Sequence, residues 1–324
     1  MDISISRRSF VSAAAGAAAL SFAAAQTPPV ALADEAPLTD WLGSAPVVTE
    51  ADVSEVVDVD VLVCGAGQSG TPAAYFAAQN GARTLWIEKN AMPVCLRQSA
   101  FGAIDSSYQK ELGVEINRED LLNDITAYAL NQCSMPLWRN WLDHSGEAAD
   151  WYGSMVEKAG HRIVLEHTMP PEGRYKTWPT AHGTANMEPL PNNPYDKSPC
   201  EGDEFAVWET IKNEFETLGG EFRLGTALQC LIQDETGAVV GAYCVDANGN
   251  AIRVNTAKGV VVATGGYANN GDMYRALQDG LDKSLVVSEK WGTAHGDGIK
   301  ACLWAGARMD DIPTSMLFDR CNVR

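Results

Sequence analysis

The sequence predicts an α/β fold with a mostly parallel sheet, and three features of its pattern support this prediction. A buried apolar run at Val59–Cys64 ends in glycines, and a helical stretch and a second apolar run follow it. Strand, helix and strand within about 30 residues form a βαβ unit, whose two strands are parallel. More strand-like runs lie after residue 220, and a long helical region separates them from this unit.

The βαβ unit has recognisable boundaries. Its helix is predicted over Thr71–Ala82, because Asn80-Gly81 is a typical helix stop. The run "RTLWIEK" supplies the second strand, which ends at Glu88. Residues 34–55 precede the unit and combine proline with acidic and small side chains. We therefore expect a linker over 34–55 and a single domain over 56–310.

Within that domain, residues from about 118 to 218 are expected to form a helical and loop insertion. Apolar side chains recur at helical spacing from Arg118 to Gly160 and again over Glu204–Leu218. Residues 168–203 are rich in Pro, Gly and Asn, which predicts a functional or mobile loop. Strands are predicted after the insertion in "EFRLGTALQCLIQ", "VVGAYCVD" and "AIRVNTAKGVVVATGG". The large aromatic side chains of the first helical region are interpreted as core packing; they are Trp138, Trp141 and Trp151.

The composition excludes some classes of function. The chain has 324 residues, of which 46% are hydrophobic and 20% charged, as in a globular protein. Its formal net charge of −18 would repel phosphate backbones, which argues against nucleic acid as a partner. The eight cysteines include no C-x-x-C motif and the five histidines are scattered, so no metal site is predicted. We expect most of the cysteines to be small buried apolar side chains.

The N-terminus is predicted to carry an export signal. Arg7 and Arg8 precede the alanine-rich run Val11–Ala25, which is shorter than the ~20 residues of a membrane-spanning helix. Ala31–Ala33 supplies a small-residue cleavage site. We therefore expect residues 1–33 to be a twin-arginine signal peptide. The protein would then be exported to the periplasm or the outer face of the cell envelope, without being an integral membrane protein.

A glycine-rich motif, "GAGQSG", stands between the first strand and the first helix. Glycines at its first, third and sixth positions permit a tight turn, close approach to a pyrophosphate, and close packing of helix against strand. The helix N-terminus then presents free N–H groups to phosphates. Glu88 at the end of the second strand suits a ribose diol, which leaves FAD and NAD as alternative ligands. The motif comprises Gly65, Ala66, Gly67, Gln68, Ser69 and Gly70.

Further motifs bear on the choice between FAD and NAD. Over about residues 56–310 the sequence resembles the flavoprotein family of fumarate reductase and succinate dehydrogenase flavin subunits, whose members share five motifs in a fixed order. In this chain they are "GAGQSG", "IEK" at Ile87–Lys89, "RQSAFGAI" at Arg97–Ile104, "ATGG" at Ala263–Gly266 and "GDGIKACLWAGA" at Gly296–Ala307. The resemblance implies a Rossmann-like domain that binds FAD in an extended conformation.

The resemblance also implies roles for individual positions. The glycine motif would hold the pyrophosphate, and Glu88, followed by Lys89, would bind the adenosine ribose. Ser99 and Gly102 would lie beside the flavin, and Leu228 would meet the adenine through its backbone. The dinucleotide would be lined by Ala263, Thr264, Gly265 and Gly266. Asp297 would lie near the flavin end, although the sequence "GDGIKACLWAGA" also allows it to be a helix N-cap.

Two departures from the family pattern affect these expectations. Several members attach FAD covalently through a histidine in the stretch that corresponds to Arg97–Gly102, where this chain has none, so the cofactor is expected to be noncovalent. Family members also continue into a capping domain, which binds the substrate and supplies the arginine that donates a proton. Residues 311–324 would begin that domain, and its remainder is expected to be largely absent. No catalytic residue is therefore assigned.

The function that the resemblance implies is an FAD-dependent oxidoreductase of the fumarate reductase type. Reduced flavin would transfer a hydride to a polarised C=C bond of a small organic electron acceptor. The electron donor would be an unidentified protein or a quinone-linked carrier. Two alternatives stay open: a flavoenzyme similar to 3-oxosteroid dehydrogenases, and a truncated FAD-binding component without turnover of its own.

Overall fold

The computed structural model describes residues 41–93, 100–129, 131–165, 178–186, 204–278 and 293–310. The strands in these ranges are β1 (Val53–Cys64), β2 (Thr84–Glu88), β3 (Ala100–Gly102), β4 (His161–Leu165), β5 (Ala181–Asn186), β6 (Glu221–Leu224), β7 (Ala227–Gln233), β8 (Val239–Val245) and β9 (Ala251–Val262). The helices are α1 (Gly70–Gln79), α2 (Ser107–Glu111), α3 (Arg118–Tyr128), α4 (Met135–Lys158), α5 (Glu204–Thr217), α6 (Gly271–Leu277) and α7 (Asp297–Trp304).

The main sheet confirms the predicted α/β fold. Its described strands lie in the order β6-β2-β1-β9-β8-β7. The pairs β6–β2, β2–β1 and β1–β9 are parallel, whereas β8 and β7 continue the sheet in antiparallel pairing. Cys64 pairs with both Ile87 and Val262, so three parallel strands end side by side. The segments that leave these strands therefore meet at one edge, which is the usual place for a ligand in such sheets.

The central strands are buried on both faces, as expected for parallel strands covered by helices. On one face, Leu62, Leu85 and Ile87 pack with residues of β8 and with Ala301 of α7. On the other face, the fully buried side chain of Trp86 packs against α1 and against Phe215 of α5. Both apolar layers hold the strand ends in place, and so they fix the edge at which the glycine motif lies.

The predicted insertion contains two strands that the sequence did not reveal. β4 and β5 pair with each other, and β3 pairs with β5, so that a second, antiparallel sheet forms in the order β3-β5-β4. β5 lies within 168–203, so the prediction of a loop for that whole segment is wrong. Residues 166–177 and 187–203 lie outside the described residues.

The expected linker over 34–55 ends earlier than predicted. β1 begins at Val53, and both Val53 and Glu55 pair with the start of β9. The segment before it also contacts the domain, since the Nε1–H of Trp304 donates to the carbonyl of Gly43 at 3.1 Å. Residues 34–40 lie outside the described residues. The Pro-rich and acidic composition therefore did not reveal that the strand begins before residue 56.

The tryptophans and cysteines of the described residues pack mainly as expected. Trp151 lies 5.3 Å from Tyr75 and 4.8 Å from Phe76 between ring centroids. Trp138 and Trp141 contact each other edge-on and remain half-buried. Cys64, Cys230 and Cys244 are buried and free, whereas Cys133 and Cys302 are partly exposed. Burial raises the pKa of the Cys244 thiol to about 12, which suits an apolar core side chain.

A buried histidine joins the second sheet to α2. His182 of β5 is fully buried and stacks on Phe101 of β3. Its Nδ1 lies 2.8 Å from the carbonyl of Thr180, which only accepts, so Nδ1 carries the proton and Nε2 accepts from the hydroxyl of Ser106 at 2.7 Å. Burial lowers the pKa of His182 below its usual value of 6.5, and the bond to Thr180 opposes this shift.

We predict that His182 makes the stability of the domain pH-dependent. The unfolded chain binds a proton at this ring below about pH 6.5, whereas the folded protein resists it, so the free energy of unfolding should fall as the pH drops from 7.5 to 5. Urea unfolding of the wild type and His182→Gln at several pH values measures this effect. The variant should lose less stability on acidification, and the exposed-site control His295→Gln should behave as the wild type. Equal pH slopes for the wild type and His182→Gln would contradict the prediction.

Candidate dinucleotide-binding site

The glycine motif forms a tight turn between β1 and α1. Gly65 has φ +108°, and a Cβ there would lie 2.3 Å from the carbonyl oxygen of Ala263. A Cβ at Gly70 would lie 1.9 Å from the carbonyl oxygen of Gly65. Contacts this short are impossible for a side chain, so both positions require glycine. The structure therefore supports the roles that the sequence predicted for these two residues, a tight turn and close packing of helix against strand.

The start of α1 is suited to an anion. The Ser69 side chain makes no capping hydrogen bond, and the first turn of α1 contains no acidic residue. The N–H of Thr71 donates to the carbonyl of Gly67 at 3.0 Å and Pro72 has no N–H, so the feature of this turn that favours a phosphate is the positive end of the helix dipole, with no acidic side chain to oppose it. Gln68 and Ser69 are exposed. Thr71 stabilises the turn from within, since its hydroxyl donates to the carbonyl of Gly67 at 2.8 Å.

Trp86 also holds this turn, a role that the sequence did not reveal. Its Nε1–H donates to the carbonyl of Gly65 at 2.9 Å. The backbone N–H of Gly65 donates to the carbonyl of Ile87 at 2.8 Å. Two groups of β2 therefore hold the two peptide groups on either side of Gly65. A buried tryptophan N–H usually finds an acceptor, but the sequence carries no local signal for which residue supplies it.

Glu88 ends β2, as the sequence predicted, and its side chain lies beside the glycine turn. Its side chain is 6% exposed, and Oε2 accepts the backbone N–H of Ala66 at 2.9 Å. Oε1 accepts from the backbone N–H of Asn90 at 2.9 Å and from its Nδ2 at 2.7 Å. These bonds offset the cost of burying the carboxylate. A carboxylate has about four acceptor positions, so capacity remains for a ribose hydroxyl.

The segment after β9 runs along the same edge. The backbone N–H of Ala263 donates to the carbonyl of Cys64 at 2.8 Å. Gly265 has φ +75°, and apart from the glycine itself and its two chain neighbours, no atom of the described residues lies within 4 Å of the Cβ position at Gly265 or Gly266. The hydroxyl of Thr264 accepts from the backbone N–H of Gly298 at 3.1 Å, which connects the segment to α7. Open space beside bare backbone fits a ligand that lies along the strand ends.

Asp297 is not the N-cap of α7, which corrects one of the two roles that the sequence allowed. The N-cap is Gly296, with φ +77°, and Asp297 is the first helical residue. Thr264 already binds the N–H of Gly298, one of the groups that a capping side chain would bind. The carboxylate of Asp297 instead pairs with Lys89, with 2.6 Å between Nζ and Oδ2. Lys89 also donates to the carbonyl of Thr293.

The remaining predicted residues are less closely connected to the turn. Leu228 is buried in β7, and the loop before it is tied to β2, since the N–H of Thr226 donates to the carbonyl of Glu88 at 2.9 Å. Gly102 lies in the second sheet, where its carbonyl accepts from Nε1 of Trp141 at 3.0 Å. Ser99 lies outside the described residues. Within the described ranges, no cluster of three His, Cys, Asp or Glu side chains could hold a metal ion.

Comparisons with known proteins identify relatives of this chain. It is 27% identical over 261 residues to vinyl phenol reductase of Lactiplantibacillus plantarum, and the aligned region covers 80% of this chain and 48% of that protein. It is 24% identical to urocanate reductase of Eggerthella lenta, over 88% of the chain and 44% of that protein. It is 24% identical to the acrylate reductase flavoprotein subunit of Shewanella woodyi, over 94% of the chain and 54% of that protein. The chain spans about half the length of these relatives.

Solved structures and a family model agree with this result. The fold matches 3-ketosteroid-Δ4-(5α)-dehydrogenase from Rhodococcus jostii with a TM-score of 0.64 at 20% identity, covering 82% of this chain and 57% of that one. It matches a flavocytochrome c3 fumarate reductase with a TM-score of 0.60 at 23% identity, covering 80% and 42%. The family model of the FAD binding domain matches residues 60–318. This match confirms the prediction that the cofactor is FAD. The chain therefore belongs to the FAD binding domain family.

Proposed function

We propose that this protein is an FAD-dependent reductase that acts on a polarised C=C bond of a small organic substrate. The observation that carries the proposal is the single edge at which the glycine turn, Glu88 and the Ala263–Gly266 segment meet. The names of three relatives specify vinyl phenol, urocanate and acrylate, each of which contains a carbon–carbon double bond. The bound flavin would supply the hydride chemistry.

The residues of this chain would bind and orient the cofactor. The glycine turn and the positive end of the α1 dipole would receive the pyrophosphate, and Glu88 would accept hydrogen bonds from the ribose hydroxyls. We propose noncovalent binding, because no histidine stands in the stretch Arg97–Gly102. Residues 97–99 of that stretch lie outside the described residues.

The substrate would be held by residues beyond the FAD site. The resemblance assigns substrate binding and the proton donor to a capping domain, and no residue of the 324 matches that motif. We therefore propose that turnover of an enoate requires a capping segment, and that the electron donor is a protein or a quinone-linked carrier. A 3-oxosteroid substrate is the second candidate, since the fold is similar to that of a 3-ketosteroid-Δ4-(5α)-dehydrogenase.

We also propose export by the twin-arginine route. Arg7 and Arg8 stand before the alanine-rich run, within residues 1–40, which lie outside the described residues. A protein exported in the folded state can acquire FAD in the cytoplasm before it crosses the membrane. No helix among the described residues is long and apolar enough to cross a membrane.

We predict that the purified protein releases FAD when it is precipitated with acid. A noncovalent cofactor should leave with the supernatant, and Glu88→Ala should weaken binding by about 1–3 kcal/mol, because a charge-assisted hydrogen bond is lost. Chromatography identifies the released flavin, and titration of apoprotein gives the dissociation constant. The control Glu214→Ala removes an exposed carboxylate that pairs with Lys158 and should bind FAD as the wild type does. Flavin in the pellet, FMN in place of FAD, or unchanged affinity of Glu88→Ala would contradict the prediction.

We predict little enoate turnover by the 324-residue chain alone. Positioning of a substrate can contribute about 7–11 kcal/mol to lowering a barrier, and that contribution should be missing without a capping segment. A reduced dye serves as the donor, and acrylate, urocanate, fumarate and a 3-oxosteroid are compared with a nonspecific acceptor. The nonspecific acceptor should be reduced slowly, because it needs no organised site. Saturable turnover of one enoate would place the substrate site within this chain, and steroid turnover would favour the second candidate.

We predict that export requires both arginines of the signal. Arg7→Lys combined with Arg8→Lys should leave the protein in the cytoplasm, since the twin-arginine address is read through that pair. Cell fractionation measures the distribution. The control Arg83→Lys changes an exposed arginine of the domain and should be exported normally. Normal export of the doubly substituted protein would refute the twin-arginine assignment.

A further inference from the structure

A polar network connects the two ends of the candidate FAD site. Glu88 binds the N–H of Ala66 through one carboxylate oxygen and the side chain of Asn90 through the other. The Nδ2 of Asn90 lies 3.5 Å from the hydroxyl of Thr293. Lys89 then donates to the carbonyl of Thr293 and to the carboxylate of Asp297. The network therefore runs from the glycine turn to the start of α7.

Lys89 is the connection on which this arrangement depends. It extends from the end of β2 to residues 293–297, which are 204 to 208 positions later in the chain. Its side chain is 26% exposed and that of Asp297 is 34% exposed. Because both groups are largely shielded from solvent, their attraction is screened less than that of an ordinary surface pair.

The charge of Lys89 also suits a site for an anion. Glu88 and Asp297 place two carboxylates on an edge that would receive the negatively charged pyrophosphate of FAD. Like charges in a confined site repel each other, so an uncompensated Asp297 would oppose binding. The ammonium group of Lys89 offsets one of the carboxylates and holds it in place.

We propose that Lys89 is a positioning residue, which fixes Asp297 and the start of α7 against the end of β2 and thereby sets the geometry of the FAD site. This inference rests on the proposed FAD-dependent function. The alternative is that Lys89 binds a phosphate of FAD directly. In that case its effect on FAD binding would not depend on Asp297. The two modes of action predict different behaviour when both residues are changed.

The experiment is a double-mutant cycle on FAD affinity. Apoprotein of the wild type, Lys89→Met, Asp297→Asn and the double variant is titrated with FAD, and the visible spectrum of the bound flavin is recorded. Lys89→Met should raise the dissociation constant about tenfold, or about 1.4 kcal/mol. The double variant should bind FAD no more weakly than the single variant with the lower affinity, because both substitutions break the same Lys89–Asp297 ion pair. Lys89→Arg should recover affinity to within about threefold of the wild type.

Controls separate positioning from loss of stability. Lys158→Met removes a lysine from an exposed ion pair with Glu214 and should leave FAD affinity and the flavin spectrum unchanged. Lys89→Met and Asp297→Asn should change the flavin spectrum in the same direction, which a general loss of stability would not do. If the increases in the FAD dissociation constant multiply in the double variant, or if Lys89→Met binds FAD as the wild type does, the inference is overturned. Neither result would contradict the proposed FAD site. Failure of the wild type to bind FAD would overturn the proposed function itself, and this inference with it.

Discussion

The close contact between the turn after β1 and the end of β9 governs the whole site. Gly65 lies so near Ala263 that a Cβ would be 2.3 Å from the carbonyl oxygen of Ala263, and a Cβ at Gly70 would be 1.9 Å from that of Gly65. This contact depends on the parallel pairing of β1 with β9, since both strands must end at the same level. Buried side chains on both faces of the sheet, among them Trp86, keep the strands in that register.

The electrostatics of the site follow from the same arrangement. The start of α1 offers the positive end of a helix dipole to an anion, whereas two carboxylates stand at the end of β2 and the start of α7. Glu88 is stabilised by three N–H donors, and Asp297 by an ammonium group. Negative side chains and an anionic ligand can therefore share one edge, because each carboxylate has a fixed partner of its own.

Local patterns predicted the parts of the fold that depend on local chemistry. The βαβ unit, the glycine turn and the position of Glu88 follow from strand and helix periodicity and from backbone angles that favour glycine. The small sheet β3-β5-β4 could not be predicted in this way, since its strands are short and lack alternation, and β3 pairs with β5 across about 80 positions. The bonds of Trp86 to Gly65 and of Lys89 to Asp297 also join residues distant in sequence, so only the folded chain reveals them.

Hydrogen–deuterium exchange with and without FAD tests most directly whether the dinucleotide lies along this edge. Peptides that contain residues 65–71, 264–266 and 297–299 should exchange more slowly once FAD is bound, because their backbone N–H groups lie against the ligand or are held by it. Peptides from α3, at Arg118–Tyr128, should be unaffected. Unchanged exchange over residues 65–71 in the FAD-bound protein would contradict the assignment of the glycine turn as the pyrophosphate site.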